Sequence, residues 1–226
     1  MSEGAREWLQ SLLDAVDHAE APLFLRSAGV APESSRRSAV LVLFGAGVDG
    51  PDVLLIERSA HLRNHAGQPA FPGGGIDADD DGPVAAALRE ANEETGLDPD
   101  GVDVLRVLPD LWVPPSGNVV TPVLGWWREP SEVRPQPGEV AAVARVAVAD
   151  LVDPANRLQI RHPNGLAGPA FRVAGMLVWG FTAGVLDRLL ALGGWERPWD
   201  RERVEQLPAD ALELALRQRR RVAGED

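Results

Sequence analysis

The chain has 226 residues, 45% of them hydrophobic and 25% charged, with a formal net charge of -12 and no cysteine. That length suits one domain with a sizeable core plus terminal extensions. The acidic balance argues against a general nucleic-acid binder, the missing cysteines exclude disulfides and thiolate chemistry, and no apolar run reaches the roughly 18 residues of a membrane span.

Trp8, Leu9, Leu12, Leu13 and Val16, spaced among acids, predict an amphipathic N-terminal helix; a basic start leading into an apolar export segment is not seen there, so cytoplasm is the expected compartment. All 22 basic residues are arginine, which rules out a lysine nucleophile or a P-loop lysine. The apolar run from Ala39 to Phe44 and that from Val53 to Arg58, separated by a Gly- and Pro-bearing turn, predict a hairpin. A long loop then runs from Ser59 to Asp81.

Pro83 to Gly96 reads as a helix of about three turns, with proline suited to its first position and glycine to the position past its end. On a helical wheel Val84, Leu88, Ala91 and Thr95 form a core-facing stripe, and Glu90, Glu93 and Glu94 cluster on the other side. Like charges at i,i+4 repel, so Glu90 and Glu94 either stand on a solvated face or share a cation. Strands are expected at Val102 to Leu108, Val119 to Trp127, Val143 to Val148, Leu158 to Arg161 and Phe171 to Val173, then a helix from Val178 to Leu192. The charged tail from Trp195 contains an amphipathic stretch from Ala209 to Arg219. The pattern is α+β, an α/β/α sandwich around a mixed sheet.

Two stretches carry a family resemblance. Arg89-Glu-Ala-Asn-Glu-Glu-Thr-Gly-Leu97 resembles the second half of the Nudix box, GX5EX7REUXEEXGU, at every fixed position. Upstream, Leu54 to Gly74 resembles LLTXRSX3RX3GX3FPGG, the added signature of the coenzyme A diphosphatase branch, with Ile56 in place of Thr. A weaker similarity extends over Val178 to Leu186. The first acid of the box falls on Asp81 when counted from Gly75 and on Asp80 when counted from Gly74, so the register stays open. Asp79 and Asp81 also suit a helix cap or first-turn role ahead of Pro83.

The resemblance implies a Nudix domain over 37–194 between an N-terminal helical extension, 1–36, and a charged helical tail, 195–226. It implies a metal-dependent hydrolase in which Glu90, Glu93 and Glu94 hold Mg2+ or Mn2+ and water attacks a diphosphate. Arg89 then orients a carboxylate, and the general base is Glu139 or Glu93. Arg58 and Arg63 are candidates for phosphate contacts, each with a rival reading as a loop ion pair. Gly67, Phe71, Gly73 and Gly74 complete the substrate-side set, although Phe71 also reads as core; His61 and His65 read as loop residues. Trp112, Trp126 and Trp127 could border a pocket, with burial the bland alternative. The implied substrate is coenzyme A or an acyl-coenzyme A, with no nucleic-acid or membrane partner and with a homodimer contact as one use of the extensions. The alternatives are another nucleoside diphosphate conjugate, such as ADP-ribose or NADH, and a nucleotide sensor without turnover.

Overall fold

Alternation along one strand organises the molecule. In β1 (Arg36–Gly47), Ala39, Leu41 and Leu43 point into one core and Val40, Val42 and Phe44 into another, because successive side chains leave a strand on opposite faces. A strand buried on both faces must lie at the centre of a sheet with cover on each side. The computed structural model describes residues 3–18, 31–32, 34–60, 62, 67–113, 116–161, 165–209 and 211–213.

β1 pairs antiparallel with β2 (Gly50–Arg58) through a tight turn at Gly47↔Gly50, and parallel with β7 (Asn118–Trp127) along its length. β2 carries β3 (Pro69–Ala70) and β8 (Val140–Ala147), and β7 carries β5 (Val102–Val107) and β6 (Leu111–Val113). β4 (Gly73–Gly75) lies against β1 at Ser38 to Val40, where β2 has diverged from it. The helix α2 (Gly82–Thr95) covers one face, packing Ala86, Ala87 and Ala91 with Leu41, Leu43, Val123 and Trp127. Helices α1 (Glu3–His18), α3 (Val148–Val152) and α4 (Gly180–Leu192) cover the other face. This is the expected α/β/α sandwich around a mixed sheet. A smaller sheet of β9 (Arg157–Arg161), β10 (Ala167–Val173), β11 (Met176–Val178) and β12 (Val204–Gln206) closes its own core on Leu158, Ile160, Ala170 and Leu207.

The differences from the sequence reading have physical causes. The helix expected from Val178 begins at Gly180, because Met176 to Val178 turns back on β10 as a strand. An unbroken apolar run does not distinguish a buried strand from a buried helix, and Gly180, at φ 66°, makes the corner. The long loop from Ser59 contains β3 and β4, and β6, β11 and β12 were not expected; strands of two or three residues are too short to show alternation. Of the helix expected from Ala209 to Arg219, only residues 209 and 211–213 are described, and they are helical; the rest lies outside the described residues.

Candidate active site

The glutamate helix is fixed at both ends. Gly82, at φ 81°, turns the chain into α2, and Pro83 opens it. Asp81 stands at the N-cap position but makes no side-chain cap bond, so its expected capping role is positional only. At the other end Gly96, at φ 68°, donates its N–H to Asn92 O. The carbonyls of Glu94 and Thr95 would be orphans there; they accept from Gln136 N at 2.9 Å and Arg134 N at 2.8 Å. That closure draws the segment before β8, including Glu139, toward the helix end. The carbonyl of Glu139 in turn accepts from Ser59 N at 2.8 Å, just past the end of β2.

The three glutamates occupy three environments. Glu94 is 2% exposed: Oε1 accepts from Arg58 Nη1 at 2.8 Å and Oε2 from Gly73 N at 2.9 Å. Burial pushes its carboxyl up to about 7, against the opposing effects of the Gly73 amide and Arg58. Glu90 is half-buried beneath β4, and burial raises its carboxyl as well, with Arg89 opposing. Glu93 is the most open, with 55% of its side chain exposed. The sequence placed all three on the side away from the core; Glu94 instead borders the buried face, because the Gly73–Gly75 strand lies over the flank of the helix.

Arg89 gathers the acids. Its Nε and Nη2 donate to the two oxygens of Asp80 at 2.9 and 2.8 Å, Nη1 donates to Glu90 Oε1 at 3.0 Å, and Nη2 also reaches the Gly75 carbonyl at 3.1 Å. The contact with Glu93, four residues on along the helix, is long at 3.4 Å. The two-pronged bond to Arg89 takes the Asp80 carboxyl down to about 2. Asp80, not Asp81, is therefore the acid joined to the box arginine.

The glycines act by what they lack. A Cβ on Gly74 would lie 2.3 Å from Glu90 Cδ, and one on Gly73 would lie 2.3 Å from Ala39 O. Gly67, at φ 64°, donates its N–H to Arg58 O at 3.0 Å and closes the loop base. Phe71 is 2% exposed in the core facing α1 and α4, which corrects its place among the substrate contacts. Arg58, expected at phosphate, is paired with Glu94, which corresponds to the rival ion-pair reading. Trp126 and Trp127 are buried, and Trp112 is partly exposed. Arg63, His61 and His65 lie outside the described residues. Sequence reasoning missed Gln136 and Arg134, whose role is carried by backbone N–H groups and leaves no side-chain signal.

Among the described residues no three acidic or histidine side chains converge as they stand into a metal-binding group. The donor chemistry nevertheless fits a hard divalent cation. Five carboxyl groups, Asp77, Asp80, Glu90, Glu93 and Glu94, face two guanidiniums, Arg58 and Arg89, a formal excess of three acidic groups. The desolvated state of Glu90 and Glu94 is what a bound cation would relieve.

The description of the NUDIX domain matches residues 35–167. A curated relative from Citrobacter koseri, "Uncharacterized Nudix hydrolase NudL", is 39% identical over 171 residues, covering 73% of this chain and 86% of the relative. The protein of the same name from Escherichia coli K12 is 41% identical over 146 residues, covering 62% and 73%. Among solved structures, a Nudix hydrolase from M. smegmatis, RenU, aligns with a TM-score of 0.48 at 21% identity, covering 74% of this chain and 91% of that one.

Proposed function

The chain belongs to the Nudix family, and from that premise we propose that it hydrolyses the diphosphate bond of coenzyme A or an acyl-coenzyme A. The products are 3',5'-ADP and 4'-phosphopantetheine or its acyl form. One observation carries the reading: Glu94 of the box is held between Arg58 of the RSX3RX3G stretch and the Gly73 amide of FPGG, so the two motifs form one structure. The coenzyme A branch is supported by the spacing of the stretch from Leu54 to Gly74.

Glu90 and Glu94 are the residues that would hold Mg2+ or Mn2+, with Glu93 at the open edge. When bound, such an ion neutralises the diphosphate and acidifies a water. Arg89 keeps Glu90 and Asp80 in place and does not meet substrate. Glu93 has the exposure needed to take a proton from the attacking water, and Glu139, exposed on the turn hydrogen-bonded to Ser59, is the second candidate. The pH profiles of Glu93→Gln and Glu139→Gln separate them, since only loss of the base removes the acidic limb of kcat.

The branch is tested by comparing coenzyme A with dephospho-coenzyme A, which lacks the 3'-phosphate. A kcat/KM at least about tenfold higher for coenzyme A is expected from one well-formed charge-assisted contact. Equal values would remove the coenzyme A assignment and leave a hydrolase of nucleoside diphosphate conjugates.

A further inference from the structure

Arg58 holds Glu94 by one contact and from a fixed base. Its backbone sits at an irregularity in the β2–β8 pairing, with its N–H bonded to Gln68 O at 3.1 Å and its carbonyl accepting from Gly67 N at 3.0 Å. Only Nη1 touches the carboxylate, Nε is buried without a partner, and 24% of the side chain is open to solvent. The pair is thus end-on, unlike the two-pronged grip of Arg89 on Asp80.

Both oxygens of Glu94 are already engaged, Oε1 by Arg58 and Oε2 by the Gly73 amide. A cation reaching Glu94 meets the guanidinium at Oε1. The two positive charges repel in a partly desolvated setting, and arginine cannot relieve this by losing a proton. The backbone amide cannot leave without unpairing β4 from β1. The side chain of Arg58 can.

Resting on the diphosphate-hydrolase reading, we propose that Arg58 is an exchanging positioning residue. It neutralises buried Glu94 while the metal site is empty, and it is released by the arriving divalent ion to grip the substrate diphosphate. Ion entry and substrate binding are then coupled through one side chain, and Arg58 meets both expectations raised for it, ion pair and phosphate contact, in successive states.

The test uses the full chain, Arg58→Ala and the charge-retaining Arg58→Lys. Three quantities are read: thermal stability in chelator, Mn2+ affinity by electron paramagnetic resonance, and affinity for α,β-methylene-ADP at saturating Mn2+. For Arg58→Ala the expected set is a lower Tm in chelator that Mn2+ restores, Mn2+ binding tighter by roughly tenfold, and analogue binding weaker by roughly tenfold to a hundredfold, the span of a charge-assisted hydrogen bond. Arg58→Lys should recover most of the Tm in chelator, and the neutral Arg58→Gln takes the place of alanine where the alanine variant does not fold. Mn2+ binding that is unchanged or weaker in the neutral variant would overturn the proposal, because Arg58 would then remain on Glu94 as a fixed support. Tighter Mn2+ with unchanged analogue affinity would also overturn it, since simple repulsion would suffice. If the wild-type chain and Glu94→Gln bind Mn2+ equally, the metal reading itself falls, and the proposal with it.

Discussion

Three consecutive glycines make three different demands on the same loop. At Gly73 a side chain would strike backbone, Ala39 O at 2.3 Å, from a φ of +156°; at Gly74 it would strike the Glu90 carboxylate; at Gly75 it would meet nothing within 4 Å. Alanine substitutions should therefore separate. Gly73→Ala should lower stability by about 2 kcal/mol or more through backbone conflict. Gly74→Ala should leave Tm within a few degrees, because a carboxylate at the end of a flexible side chain can move, yet weaken divalent-ion binding and activity by at least about tenfold. Gly75→Ala should be near neutral. Melting curves and Mn2+ titrations check all three, and an inert Gly74→Ala would contradict the placement of Glu90 at the site. Glu94→Gln should keep the fold and slow turnover by about two to three orders of magnitude, since it removes charge where the phosphoryl group is attacked. Full turnover in that variant would remove Glu94 from the catalytic set.

At the scale of elements, α2 is held at its beginning by the Asp80–Arg89 pair and at its end by the Gln136 and Arg134 amides. The first of these is sensitive to acid. The Asp80 carboxyl is held at about 2, against an ordinary value of 3.8, by its bonds to Arg89. A carboxyl lowered in the folded state contributes stability above its unfolded value and loses it as pH falls through the folded one. The contribution should thus be intact above about pH 4 and fade toward pH 2. Tm measured from pH 5 to pH 2 should fall more steeply in the wild type than in Asp80→Asn, which has already lost the pair; parallel curves would show that Asp80 carries no linked stability.

Much of this element was legible in the sequence. Pro83 and Gly96 marked its limits, and the resemblance named Arg89 as the residue that orients a carboxylate. What the wheel missed was that Glu94 is buried, because the cover comes from β4, a three-glycine strand with no side chains to announce a packing face. The partner of Arg89 was half legible: two registers named Asp80 and Asp81, and spacing alone did not choose between them. Arg58 was singled out for phosphate; that it reaches Glu94 depends on the end of β2 meeting a residue of α2 36 positions on in the chain, a long-range contact without a local signal. The expected helix start at Val178 failed because a continuous apolar run carries no periodicity, and periodicity is what separates strand from helix.

Over the whole molecule, described residues on both sides of 37–194, in α1 and from Trp195 to Trp199, pack into its cores. Trp8 of α1 stacks on Trp195 with ring centroids 4.1 Å apart, and both meet Phe44 edge-on. Ser11 Oγ donates to Gly193 O at 2.9 Å. Arg157, wholly buried, lies between the rings of Phe171 and Trp199 and pairs with Asp187, with Glu196 3.7 Å away. Desolvation pulls its guanidinium below the usual range, so the acids and rings around it offset a real cost. Cutting the chain after Gly194 removes Trp195, Glu196 and Trp199 together and should unfold the protein or lower its Tm by more than about 10 °C. Trp195→Ala alone should cost about 2–3 kcal/mol by denaturant titration. A truncated chain with unchanged Tm would show that the tail is dispensable.

The joined motifs are proposed to cleave a diphosphate and to select coenzyme A. The most direct measurement is product analysis by mass spectrometry after parallel incubation with coenzyme A, ADP-ribose and NADH, with Mg2+ or Mn2+ and with chelator. Metal-dependent 3',5'-ADP and 4'-phosphopantetheine, formed well ahead of cleavage of the other two, is the expected result. Preferential cleavage of ADP-ribose or NADH would contradict the substrate, and no cleavage of any of the three with either metal would contradict the hydrolase itself.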